Sequence, residues 1–352
     1  MEGGAGVSRT NVNVVRVGAW SARLRPRALT VVAVCALVAV ALAVLAIGAG
    51  GYPMSPAEVV RALGGSGSQS DLVIVHEVRL PRAATALLVG SALALSGAVF
   101  QALTHNPLGS PDVLGFSQGA TTGAMTVIVV IGAGSTALSA GAVLGGVLTG
   151  ALMYALLWPR GLHGYRLVLT GIGVAAILTG VNGYLLTRAE IVDAARAVLW
   201  LTGSLDGRGW EDALPLLLAM VVLVPVVLGY GRALRMMEMG DDTALALGVR
   251  AERVRLALLA SAVLLASFAA AAAGPVLFVA LTAPHLARRL TRAPGPNLVA
   301  SMCMGAALLV TADWVAQRAF PGRELPVGVV TGLLGGGYLV WLLTAERRAG
   351  RI

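Results

Sequence analysis

RLPRAATALLVGSALALSGAVFQALTHNPLGSPDVLG, residues 79–115, decides the fold. Its middle, residues 83–103, is uncharged and mostly apolar. Roughly 20 such residues at 1.5 Å rise each cross the hydrocarbon of a bilayer, so this segment is read as a spanning helix. Arg79 and Arg82 stand on either side of a Leu-Pro pair before it, and Asn106-Pro107-Leu108-Gly109-Ser110-Pro111 follows it. Proline removes a backbone donor and drives the preceding residue away from helical angles. The span is therefore expected to end in a rigid turn.

The rest of the chain agrees with a membrane setting. It is 57% hydrophobic and 12% charged, with mean hydropathy +0.83, whereas a soluble domain carries about a quarter of its residues charged. All 26 lysine-or-arginine positions are Arg. A P-loop needs a Lys on the phosphates, so this chain does not hydrolyse ATP by that route, and any ATPase site belongs to a partner. The net charge of +9 sits in short loops between apolar runs, where arginine orients a membrane protein rather than binding nucleic acid. Cys35 and Cys303 fall inside apolar runs and read as packing residues. The histidines His76, His105, His163 and His285 lack ligand spacing, so neither a metal site nor a cofactor is expected.

Along the chain, residues 1–28 form a basic tail, and residues 29–47 a first span read as a retained helix rather than a cleaved signal. Residues 48–82 are polar and rich in Gly and Ser, an external loop with a short helix over 54–63. Further spans are expected at 83–103, 113–132, 136–158, 167–187, 211–230, 253–273, 275–290, 297–317 and 326–344. The fold class is all-α and polytopic, with about ten transmembrane helices. A single domain at 29–346 is flanked by the tails 1–28 and 347–352. Placing the N-terminus inside puts 18 arginines in the cytoplasm and eight outside, so both termini are expected to be cytoplasmic. Small residues recur at four-residue spacing, as in Gly141 and Gly145 or Gly146 and Gly150, which lets helices approach closely in lipid.

Several stretches together resemble one family. Arg-x-Pro-Arg at 79–82, a Gly/Ala/Ser-rich helix ending Ser96-Gly97-Ala98 with Gln101, and Asn-Pro-Leu-x-x-Pro-x-x-Leu-Gly at 106–115 are similar to the signature of the FecCD-type permeases. These are the membrane subunits of ABC importers for ferric siderophores, haem and cobalamin. Gly274-Pro275-Val276-Leu277-Phe278 continuing to Pro284-His285 and Arg288, then Ala312-Asp313, then Glu324-Leu325-Pro326-Val327-Gly328-Val329-Val330-Thr331, resemble the family's later blocks. The chain departs from the family at Gly335-Gly336-Gly337-Tyr338-Leu339, which lacks the family's Pro and Phe, and at Ala280, which replaces a Gly.

The resemblance implies a type II ABC importer permease fold in a bacterial cell membrane. It also implies an ATPase subunit dimer on the cytoplasmic face, a substrate-binding protein on the external face and a second homologous permease, making a heterodimer or a homodimer. The implied cargo is an iron(III)-siderophore, with cobalamin or haem as the alternatives, and no catalytic residue is implied. Residues 232–255 form the longest internal loop, in which Gly240, Asp241, Asp242, Ala244, Leu245, Leu247 and Gly248 match the ATPase-coupling helices. Asp241 and Asp242 suit a helix N-terminus, and Gly248 suits a left-handed stop.

By the same resemblance Arg79 and Arg82 dock the binding protein through its glutamates, for which guanidinium is well shaped; helix-end snorkelling is the other reading. A third family arginine falls on Gln317, with Arg318 one step later, and one helical step turns a side chain by about 100°. Gate positions map to Asn106, Pro107, Leu108, Gly164 and Tyr165, for which local loop packing is the other reading.

Asp313 lies late in a span, where an unpaired carboxylate costs roughly 3 kcal/mol or more. It reads either as a proton relay or as a structural partner near the mouth, and the lack of a second acid within a span favours the latter. An ion-coupled transporter would need paired intramembrane acids or broken helices about a midplane site. A membrane enzyme would need clustered His, Asp, Glu or Cys at one face, and the sequence shows no such cluster.

Overall fold

The computed structural model of the protein describes residues 13–17, 20–157, 164–320 and 324–348. The tail arginine Arg9, together with Arg160 and Arg351, lies outside them. An antiparallel ribbon of β1 (Asn13–Val17) and β2 (Trp20–Leu24), with Val17 opposite Trp20, leads into α1 (Pro26–Ile47). Pro26 begins that helix because a first-turn residue needs no amide donor. Then come α2 (Pro56–Leu63) and α3 (Gln69–Val73), each opened by a reciprocal cap, Ser55 with Glu58 and Ser68 with Asp71.

The expected loop at 48–82 is corrected here. From Gln69 to Thr104 the backbone stays helical over 36 residues, passing from α3 through a π-helical turn (Ile74–Arg79) into α4 (Leu80–Thr104). The π turn ends two residues before Pro81, whose missing donor would interrupt an ordinary helical ladder.

The remaining helices are α5 (Phe116–Thr126, extended by a π-helical turn Val127–Ile131), α6 (Ser135–Leu157), α7 (Gly164–Arg188), α8 (Ile191–Leu201), α9 (Trp210–Gly229), α10 (Gly231–Met237), α11 (Asp241–Ala246), α12 (Ala251–Ala273), α13 (Val279–Thr291), α14 (Leu298–Ala316) and α15 (Val327–Arg348). Among the described residues seven helices, counting α3, the π-helical turn and α4 as one, are long and apolar enough to cross a membrane. The shorter apolar runs Phe116–Ile131 and Val327–Leu342 and the half-length α13 stand where the other three expected spans were placed.

Two boundaries differ from expectation for clear physical reasons. The span at 275–290 is a broken element: Gly274 has φ +72°, Phe278 is left-handed at φ 67°, and Pro275 between them has no amide donor. Helix resumes only at Val279, and the 13 residues of α13 reach about 20 Å, too short to cross alone. The segment between α7 and α9 contains α8, which buries Ala197 and Trp200.

α4 is the central post. It packs against α14, α12, α13 and α9, and α4, α12 and α14 are buried along most of their length while α1, α6, α7 and α9 are mostly exposed. Close approach depends on missing side chains. A Cβ on Gly97 would overlap the backbone of Ala280, and one on Gly90 would overlap Gly305. The spaced Gly141 and Gly145 of α6 lie in the same way against Gly123 and Gly119 of α5. Where lipid gives no hydrophobic gain between helices, such backbone proximity supplies the van der Waals contact.

Candidate functional site

At one end of the bundle the start of α4, the end of α14 and the loops after α1 and α8 enclose a polar cavity of about 550 Å³ lined by Arg79, Arg82, Asp206, Asp313, Gln317 and Glu324. Arg82 is its centre. Its Nε and Nη2 both donate to Asp313 Oδ1, at 3.2 and 2.9 Å, and its Nη1 donates to Glu324 Oε2 at 2.6 Å. Asp206 stands 3.7 Å from the same Nη1. Gln317 donates from Nε2 to the other oxygen of Asp313 at 2.7 Å. The buried carboxylate at the end of α14 is thus saturated by one guanidinium and one amide, and a buried ion needs such saturation to persist.

Arg79 does different work from Arg82. Its Nη1 and Nη2 donate to the carbonyls of Ile47 and Tyr52 at 2.7 and 2.6 Å, tying off the C-terminal end of α1, whose last carbonyls lack helical partners. Arg318 is exposed, with its guanidinium carbon 4.7 Å from the Trp314 ring centroid. Gln317, not Arg318, lines the cavity.

At the opposite end lie α10 and α11. Asp241 opens α11 and accepts from Arg255 Nη2 through both oxygens, at 2.7 and 2.9 Å. Gly248 at φ +81° turns the chain after it. Ala244 is buried while Met239, Leu245 and Leu247 are exposed, so this end presents an apolar rim on a helix pinned by an ion pair. Glu238 sits 3.4 Å from Arg288; burial pushes its carboxyl up, and Arg288 pulls it back down. His105, left-handed at the end of α4, donates from Nε2 to the Met237 carbonyl at 3.1 Å. That bond joins α10 to the turn beginning at Asn106.

In this turn Asn106 Oδ1 accepts from the Leu108 amide at 2.9 Å, a side-chain closure that suits Asn before Pro. The chain then runs back into the bundle. Asp112 accepts from Ser117 Oγ at 2.6 Å and from the backbone amide of Phe278, so it meets the start of the broken helix α13. Burial pushes the Asp112 carboxyl up to about 6, partly offset by those two hydrogen bonds. Gln101 donates to the Leu281 carbonyl at 3.0 Å beside it. Leu108 and Tyr165 are both exposed, and Gly164 begins α7.

The sequence points to Arg82 and to α11. It does not connect Glu324, Asp206 and Gln317 to Arg82, nor Asp112 to α13. Glu324 and Asp313 stood within quoted motifs, but nothing local in the sequence pairs them with a residue more than 200 positions away.

The likeness to known proteins covers almost the whole chain. The model of the FecCD transport family matches residues 29–345. The ferric enterobactin transport system permease protein FepG of Escherichia coli is 44% identical over 85% of this chain and 91% of its own length. The achromobactin transport system permease protein CbrC of Dickeya dadantii is 36% identical over 96% of this chain and 97% of its own. Among solved structures, a metal-chelate type ABC transporter in an inward-facing conformation superposes with a TM-score of 0.79 at 27% identity, covering 90% of this chain and 99% of that one. These relatives are transport permeases, not enzymes. With a family match across nearly all of its length and such identity to its permeases, the chain belongs to the FecCD transport family.

Proposed function

We propose that this chain is the membrane subunit of an ABC importer that passes an iron(III)-siderophore inward, with a binding protein delivering the cargo and a separate ATPase supplying the energy. The supporting observation is the 44% identity to a ferric enterobactin permease over 91% of that protein. The two ends of the bundle fit this reading. The polar mouth around Arg82 faces outward and receives the binding protein, with Arg79 beside it and Arg318 exposed near it. The α10–α11 end faces the cytoplasm and seats α11 on the ATPase, with both chain termini on that side of a bacterial plasma membrane. Residues 29–346 act as one transport domain.

The gate is formed by Asn106, Pro107 and Leu108 together with Gly164 and Tyr165, where two permease subunits meet. Glycines 173, 180 and 183 of α7 and 332, 336 and 337 of α15 have open space where a side chain would stand, which suits close approach by a second permease. His105 then connects motion of α10 to the gate turn. Alternating access requires that nucleotide and docking stabilise the two states unequally.

The test is ATP hydrolysis by the reconstituted complex with its binding protein, across ferric catecholate, hydroxamate and citrate chelates, cobalamin and haem. Stimulation by one or more iron chelates is expected, and stimulation by cobalamin or haem alone would overturn the cargo assignment.

A further inference from the structure

We infer that Glu324 is a resident competitor at the mouth: it holds the outward edge of Arg82 while the subunit is undocked and yields it to a carboxylate of the docking protein. This rests on the docking reading above and adds how the site is kept occupied and how it opens.

The guanidinium is divided between two kinds of partner. Asp313 takes Nε and Nη2, with a side chain only 2% exposed. Glu324 takes Nη1 and is 38% exposed. Asp206, 3.7 Å from the same nitrogen, is 72% exposed. The inner contact is therefore fixed and the outer one lies on the cavity side. Glu324 also stands in the non-helical segment before α15, so moving it breaks no helical backbone bond. Asp313, inside α14 and bonded to Gln317 as well, has no comparable freedom.

Charge makes displacement necessary. The lining carries four carboxylates, Glu77, Asp206, Asp313 and Glu324, against three guanidiniums, Arg79, Arg82 and Arg208, and the donors of Arg79 are held by the carbonyls of Ile47 and Tyr52. An incoming carboxylate therefore meets a locally negative mouth and gains little unless an acid leaves. Exchanging Glu324 for a carboxylate of the partner keeps the number of ion pairs constant. Exposed pairs are individually weak, so the exchange is close to balanced, as suits a partner that must dissociate after each delivery. The occupant at Nη1 is thus a protein carboxylate presented on a surface, and Gln317 strengthens the arrangement by leaving Arg82 the only guanidinium bonded to Asp313 among the described residues.

The experiment uses the full transporter in lipid nanodiscs and its binding protein, with affinity measured in wild type, Glu324→Gln, Arg82→Glu, Arg82→Gln and the Arg82→Gln/Glu324→Gln double variant. Glu324→Gln should tighten docking by about two- to fivefold, the value of one exposed carboxylate contact. The double variant should dock no better than Arg82→Gln alone. Unchanged docking in Arg82→Glu would refute the docking reading itself. Weakened docking in Arg82→Glu combined with unchanged or weaker docking in Glu324→Gln would overturn the competitor while leaving docking in place. A gain from Glu324→Gln that persists without Arg82 would also overturn it.

Discussion

Arg82 and Asp313 are 231 residues apart in the chain, and the Arg82 Nη2 stands 2.9 Å from Asp313 Oδ1. The contact joins the first turn of α4 to the last turns of α14, the two helices with the most extensive mutual packing in the bundle. It is both a fastening and the inner wall of the mouth.

Removing one partner of a buried pair leaves the other charge uncompensated, at a cost of about 3–5 kcal/mol. Arg82→Ala should therefore lower the unfolding temperature of the detergent-solubilised protein substantially. Asp313→Asn in the same chain should recover much of the loss, because it removes the orphaned charge. Additive losses in a double-mutant cycle would show that the two do not act as a pair.

Gly97 tests the central helix contact. Its missing Cβ admits the backbone of Ala280, so Gly97→Val forces α13 away from α4 at about 1–3 kcal/mol or more. The variant should show reduced thermostability and reduced transport together. Gly173→Ala, at a site with open space within this subunit, is the control for a residue free of intrasubunit contact, and its thermostability as a single subunit should stay close to wild type.

Asp112 supplies a pH signature. Its carboxyl rises from an ordinary 3.8 to about 6 in the fold, so between these values the folded protein holds a proton that the unfolded chain has released. Its contribution to stability is complete below about pH 4 and is lost as pH rises through about 6. Asp112→Asn should flatten this part of the stability profile, measured by thermal unfolding at a series of pH values. A slope equal to that of wild type would place its origin in another group.

At the other end, Arg255 holds the first residue of α11 through both carboxylate oxygens of Asp241. Arg255→Gln loosens this helix without touching its exposed Leu245 and Leu247. The expected outcome is a several-fold fall in cargo moved per ATP hydrolysed, measured as uptake and phosphate release in the same proteoliposomes. A proportional fall in both, with their ratio constant, would show that the ion pair does not serve coupling.

Much of this protein is legible in its sequence. Apolar runs of bilayer length located the spans, because a lipid-exposed backbone must bond within its own helix. Gly240, Asp241 and Gly248 bracketed α11, because caps and left-handed stops are local chemistry. The break at 275–290 was harder. Its composition is as apolar as a span, and only the backbone angles at Gly274 and Phe278 show that a short helix begins at Val279. α8 was missed because eleven residues of mixed polarity, including Asp193 and Arg196, do not stand out between longer apolar runs.

The sequence by itself determined that the chain is a helical membrane protein and which loops hold its arginines, since hydropathy, proline and glycine act over a few neighbouring residues; that it is a permease followed from the likeness of its motifs to a family. The partners of those arginines were decided only by tertiary structure. An ion pair forms where packing brings two side chains within 4 Å and removes water, so Arg82 meets Asp313 and Glu324 only after α4, α14 and the start of α15 have converged.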